Sequence, residues 1–303
     1  MDDFILPRLQ GGLGNQLFQV AACFAIQQEQ QQQQHQPNQP QKDIKILIPS
    51  CSTNPHKRSK TAYEALFLQL PNTSRIELPA NILQTWETFA TAAANLGILF
   101  QSQRGGSYSS WAPSEFTVPC FLEGYFQFWP PLKPHWREFA QLILNGLPSI
   151  PSIPSIPNVT TCEGDTSRVF IHVRRGDYVP LSHYHYLQDE SYYKNALQHF
   201  PRDTKFLIFS DDIEFAKSYG FFDEISNKIF VNEPDEVNTL AIMSRMCHGG
   251  AICANSTFSY WGALLGPYYH RDGGDTKQVN IIVPSKWCKD SPEFLFPEDW
   301  IVL

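Results

Sequence analysis

Short polar stretches carry the residue types that chemistry needs. Arg174-Arg175-Gly176-Asp177 sets two cations beside a glycine and a carboxylate. Arginine suits phosphate because its planar fork donates two parallel hydrogen bonds. Adjacent arginines are costly to bury unless they meet an anion; the alternative is an exposed strand end with a solvated charge cluster. Ser210-Asp211-Asp212 offers two carboxylates. A hard cation needs more oxygen ligands than this stretch supplies, so cap or nucleobase recognition is preferred and no metal is assigned. Asn255-Ser256-Thr257 places small polar side chains where a helix should begin. Such residues cap helices, and helix starts also bind phosphate. Glu123 lies inside Phe121 to Trp129, a run dense in aromatic rings. Aromatic faces suit sugars, but rings at this density are read first as core.

These stretches need strands and helices to aim them. Val169 to Val173 is a short β-branched and aromatic run, the pattern of a buried strand, and Arg174 follows it. Phe206 to Phe209 precedes Ser210, and Ala251 to Ala254 precedes Asn255. Further strands are expected at Ile229 to Val231 and Val279 to Val283. Helical spacing falls at Ser191 to Phe200, from Ile213 onward behind a Ser210 or Asp211 cap, at Asp235 to Cys247, and through Tyr260 to Leu265. Alternating strands and helices predict a parallel sheet. The polar clusters would then share the edge where ligands bind, which points to a nucleotide site.

The N-terminal half repeats the pattern once. Phe4 to Gln10 reads as a strand, with Pro7 demoting it towards an edge or bulge. Gly11-Gly12-Leu13-Gly14-Asn15-Gln16 follows, then a helix over Leu17 to Gln28. Strand, glycine turn and helix bring backbone N–H groups close to a ligand. Leu17 occupies the third glycine position of a dinucleotide fingerprint, and the Lys-Ser/Thr of a P-loop is missing. Lys42 to Ile48 reads as a strand. Tyr63 to Leu70, Asn81 to Leu96 and His135 to Leu144 read as helices, and Ser102 to Ser114 as a polar loop.

Composition bounds the rest. The 303 residues fit one large or two ordinary domains. A net charge of -7 argues against a nucleic-acid binder. Seven scattered cysteines without a Cys-x-x-Cys pair fit neither a zinc site nor a disulfide framework. No apolar run approaches about 18 residues, so a cytoplasmic protein is expected, with room for peripheral membrane association. The Asn-x-Ser/Thr triplets at 72, 158 and 255 are then chance matches. Residues 27–41 form a glutamine-rich tract, read as a disordered insertion. Pro-Ser-Ile repeats near 148–160 read as an extended linker, dividing an N-terminal domain (1–147) from a C-terminal domain (161–303).

Together these stretches resemble the α-1,2-fucosyltransferase family, glycosyltransferase family 11, in its soluble bacterial-type form. The likeness rests on His172-Val173-Arg174-Arg175-Gly176-Asp177-Tyr178, on Asn255 through Leu265, and on Gly11 through Gln19, with Phe209 to Asp212 and Gly124 to Gln127 in support. The resemblance implies an α/β GT-B glycosyltransferase, two Rossmann-like domains facing a cleft. The C-terminal domain would bind GDP-fucose, and the N-terminal domain would help build the acceptor side. L-Fucose would pass to the 2-hydroxyl of a galactose-containing glycan with inversion, with no required metal or cofactor. Arg174 and Arg175 would stabilise the leaving diphosphate. Ser256 and Thr257, beside Asn255, would bind the same group. His172 and Asp211 or Asp212, following Ser210, would hold guanine. Gly12, Gly14, Asn15 and Gln16 would line the cleft near the donor. Asp177 and Glu123 are the candidate bases, with orientation of an arginine as the alternative role for Asp177. The competing readings are transfer of another GDP-sugar or to another hydroxyl, and a homologue that binds nucleotide or glycan without turnover. Adhesion through Arg175-Gly176-Asp177 is disfavoured, because the tripeptide falls at a strand end.

Overall fold

The computed structural model describes residues 3–33, 43–50, 63–78, 86–97, 99–102, 110–150, 167–271, 279–289 and 296–303. The chain divides into two units, Met1–Gly146 and Leu147–Leu303. Each is built on one parallel sheet.

In the first unit the strands are β1 (Phe4–Pro7), β2 (Lys45–Pro49), β3 (Thr73–Ile76), β4 (Leu99–Ser102) and β5 (Cys120–Glu123). The helices are α1 (Leu13–Gln33), α2 (Glu64–Phe67), α3 (Trp86–Asn95), α4 (Trp129–Leu132) and α5 (Trp136–Gly146). The sheet order is β3-β2-β1-β5-β4. β1 is therefore central, not an edge. Pro7 is its last residue, so the missing N–H takes nothing from the middle of the ladder, and Arg8 N still donates to Leu122 O at 2.9 Å. The helix α1 begins before the expected Leu17 and runs beyond Gln28 to Gln33. Part of the glutamine tract is thus helical. Gln27 is fully buried and donates to Ile44 O at 2.7 Å, and Gln30 donates to Phe116 O at 2.9 Å. Such bonds satisfy backbone carbonyls that would otherwise be buried alone. Residues 34–42 lie outside the described residues. Leu99 to Ser102 is a strand that the apolar pattern did not announce, and only Glu64–Phe67 of the expected Tyr63 to Leu70 helix forms.

The second unit contains β6 (Val169–Val173), α6 (Glu190–Leu197), β7 (Phe206–Ser210), α7 (Ile213–Ser218), β8 (Lys228–Val231), α8 (Glu236–Met246), β9 (Gly250–Ile252), α9 (Thr257–Ala263), β10 (Asn280–Val283) and β11 (Ile301–Val302). The order is β11-β10-β9-β6-β7-β8, and every pairing is parallel. All of β6 is buried. Val169, Ile171 and Val173 join Tyr193, Ala196, Ile208 and Phe222 in one core cluster. Phe170 points to the other face, where Gly262 of α9 lets that helix approach α8; a Cβ there would meet Met243 Sδ at 2.8 Å and Phe170 Cζ at 3.4 Å. A strand covered on both faces reads as a near-continuous apolar run, interrupted in β6 by His172. The Pro-Ser-Ile repeats beyond residue 150, and the boundary drawn through them, lie outside the described residues. Among the described residues, no helix is long and apolar enough to cross a membrane.

Candidate active site

In each unit the first strand has neighbours that the chain reaches in opposite directions. β6 is flanked by β7 and β9, and β1 by β2 and β5. A crevice opens at such a switch point, beyond the carboxyl ends of the strands. In the second unit that place holds Arg174 and Arg175 after β6 and Asn255, Ser256 and Thr257 after β9. Ser210, Asp211 and Asp212 close it at the end of β7.

These residues form a bonded network. Asp211 Oδ1 accepts from Arg175 N at 2.8 Å, while its Oδ2 lies 2.8 Å from Arg174 Nη1. Arg174 also pairs with Asp177 through Nη2 and lies 4.9 Å above the Tyr178 ring. Arg175 stacks on Phe215 at 3.3 Å and lies 3.9 Å from Asp212. Both arginines keep a buried Nε with no hydrogen bond among the described residues. Asp211 is therefore occupied in holding the arginine loop. Asp212 caps α7 by accepting from Phe215 N, the role expected of Ser210 or Asp211; Ser210 Oγ instead accepts from Asp212 N at 2.9 Å. Among the described residues no cluster of metal-ligating side chains occurs.

Asn255 ties the crevice together. Its amide donates to Tyr186 O at 3.0 Å and Trp287 O at 2.9 Å, and its own carbonyl accepts from the Tyr178 hydroxyl at 3.0 Å. Burial pushes the Tyr178 phenol up, so it stays protonated and donates. Its ring stacks on His185 at 3.8 Å. Ser256 caps α9 by accepting from Phe258 N at 3.3 Å, which leaves Thr257 in the first turn. His172 is 5% exposed, and its Nδ1 has no partner among the described residues. Burial pulls this imidazole down to about 4; Asp211 opposes that shift and Arg174 adds to it. His172 is thus neutral at ordinary pH, with one ring nitrogen available as an acceptor.

Gly12, Gly14, Asn15, Gln16 and Glu123 gather separately, at the switch point of the first unit. Gln16 donates to Gly11 O at 2.9 Å, Gln19 to Gly124 O at 3.0 Å, and Gln127 to Asn15 Oδ1 at 2.8 Å. Glu123 pairs with Arg8. The aromatic run around Glu123 is mostly core, since Phe121, Phe126 and Trp129 are all buried. Sequence reasoning missed Arg8, Phe215, Trp287 and Gln188, whose amide donates to Asn255 Oδ1 at 3.3 Å. None lies in a recognisable spacing; only the fold brings them to a strand end.

Two open parallel sheets, each with polar residues at its switch point, are the architecture of the GT-B fold. Fucosyltransferase NodZ from Bradyrhizobium matches this fold with a TM-score of 0.50 at 13% identity, over 88% of this chain and 93% of that one. Residues 155–301 match the model of glycosyl transferase family 11. The chain is similar along its length to an α-1,2-colitosyltransferase of Escherichia coli, 26% identical over 98% of both chains. It is also similar to the O-antigen biosynthesis glycosyltransferase WbnK of Escherichia coli, 23% identical over 97% of this chain and 99% of the relative.

Proposed function

We propose that this glycosyltransferase moves L-fucose from GDP-fucose to the 2-hydroxyl of a galactose-containing acceptor, with inversion and without a metal. The observation that carries this reading is the arginine pair at the β6 end, held by Asp211, with Ser256 and Thr257 following the neighbouring strand β9. The acceptor oxygen attacks the anomeric carbon of fucose. The bond from that carbon to the β-phosphate oxygen breaks, and its electrons leave with GDP. Arg174 and Arg175 oppose the charge that grows on the diphosphate, the task a metal performs elsewhere. Neutral His172 offers a ring nitrogen to the guanine.

The acceptor proton passes to a carboxylate. Asp177 is engaged by Arg174 and serves to orient it. Glu123, at the end of β5, takes the base role. Gly12, Gly14, Asn15 and Gln16 shape the same side. The α-1,2 linkage has support in the name of the colitose-transferring relative. That name also makes colitose the rival donor sugar.

The test is incubation with GDP-fucose or GDP-colitose and a panel of β-galactosides, in chelator. Mass spectrometry and linkage analysis read the product. Fucose on the 2-hydroxyl is the expected result. Transfer only of colitose corrects the donor. Binding of GDP-fucose without any transfer points to a non-catalytic homologue.

A further inference from the structure

Arg8 occupies in the first unit the place that Arg174 holds in the second. It follows β1 directly and meets Glu123, the last residue of β5. The sheet order makes this junction the switch point of that unit.

The pair is enclosed without being sealed: the side chains are 14% and 16% exposed. One oxygen of Glu123 takes the arginine, and Oε2 makes no hydrogen bond among the described residues. The surrounding backbone is bent to frame it. Gly11 has a φ of 80°, Gly124 of 144° and Phe126 of 54°. The last is costly for a bulky residue, and such backbone strain gathers at functional sites. Buried glutamines fix the frame. Gln19 reaches from α1 to Gly124 O, and Gln127 reaches back to Asn15. An enclosed ion pair is poor evidence of stabilisation, because desolvation opposes the Coulomb gain. A packed apolar pair would hold two strand ends as well.

We propose that Arg8 and Glu123 together form the acceptor subsite, which grips two adjacent hydroxyls of a neutral pyranoside. The charges cancel, so a phosphate or carboxylate gains nothing by entering. A diol fits: one hydroxyl donates to Glu123 Oε2, and its neighbour accepts from the guanidinium. The hydroxyl on Glu123 is the nucleophile, and Arg8 is the residue that places it. This inference rests on the transferase reading above, and the experiment separates their failures.

Methyl β-D-galactopyranoside and its singly deoxygenated analogues would be offered to wild type, Arg8→Ala and Arg8→Lys. Saturation-transfer NMR reads glycoside binding, titration with GDP-fucose reads the donor site, and kinetics reads transfer. In wild type, removing the hydroxyl next to the nucleophile should raise KM at least tenfold. Arg8→Ala should raise KM for the parent glycoside by about the same factor and make the parent and that analogue equal. Arg8→Lys, which keeps the charge without the fork, should fall between. Donor affinity should stay within twofold throughout. If Arg8→Ala melts earlier but keeps the wild-type deoxy pattern, Arg8 is only a strand clamp and the proposal is overturned. Wild type that binds GDP-fucose but none of the neutral glycosides also overturns it. Wild type that binds glycoside with Arg8 dependence but not GDP-fucose supports the subsite and sinks the donor reading instead.

Discussion

Asp211 and Arg174 form the least exposed of the arginine–aspartate pairs at the β6 end, 2.8 Å apart, with side chains 11% and 18% exposed. The other oxygen of the same carboxylate holds the backbone N–H of Arg175. One side chain thus sets both the direction of the first guanidinium and the path of the chain carrying the second. Removing either partner of such a contact leaves a charge poorly compensated.

Replacement of Arg174 or Arg175 by alanine should therefore lower kcat by about 10²–10³, the scale of losing one preorganised partner of a developing charge. Circular dichroism should still show the fold. Asp211→Asn should lower kcat comparably, although it keeps an acceptor for Arg175 N, because Arg174 loses its buried counter-charge. If Asp211→Asn turns over like wild type, Asp211 does not hold the arginines in the working state.

The two candidate bases differ in what their loss should do. Glu123→Gln should remove the proton acceptor and lower kcat by about 10²–10⁴ while GDP affinity stays the same. Asp177→Asn releases Arg174 and should alter GDP affinity as well as rate. Isothermal titration beside steady-state kinetics separates the two. The assignment of roles is reversed if Asp177→Asn is the variant with normal GDP binding and no turnover.

The gathering of polar residues at the β6, β7 and β9 ends was legible because they follow strands directly. Arg174, Asp211 and Asn255 each come within three residues of a buried apolar run, and alternation of strand and helix put them on one edge. Their division of labour was not legible. Asp211 and Asp212 are adjacent and chemically alike, yet one accepts from the arginine loop's backbone and the other caps α7. Pro7 misled because a proline at the end of a strand costs far less than one within it. Gln27 and Gln30 misled because composition does not reveal that a glutamine can serve a buried carbonyl. Arg8 carries no motif at all, and its meaning depends on a partner 115 positions away.

Asn255 should prove a positioning residue. It is 1% exposed, and its amide joins Tyr186 O and Trp287 O, each from a different loop. Asn255→Ala would leave both carbonyls without that donor and would cost about 2–4 kcal/mol in denaturant unfolding. The Tyr178 hydroxyl bonds the backbone of residue 255, so that contact survives the substitution. Asn255→Asp should not restore the network, because a carboxylate cannot donate. Equal stability of wild type and Asn255→Ala would show that the loops dock without it.

His172 should give the protein an acid-sensitive window. Its pKa in the fold is about 4, against an ordinary value of 6.5, and the main cause is burial. As pH falls through 6.5 the unfolded chain takes up a proton that the fold refuses, so stability drops. The loss ends near pH 4, where the folded imidazole protonates too. The whole window amounts to about 3 kcal/mol. His172→Gln removes the group from both states. His135, His185 and His248 are also held below their ordinary range by burial, so the absolute profile mixes several residues. The difference between wild type and His172→Gln isolates one. Urea unfolding at steps from pH 7.5 to 4 should show wild type losing about 3 kcal/mol relative to the variant, nearly all of it below pH 6.5. Parallel profiles would mean that His172 takes up its proton inside the fold. The neutral ring offered to the guanine would then be lost in mild acid, and donor affinity should fall with it.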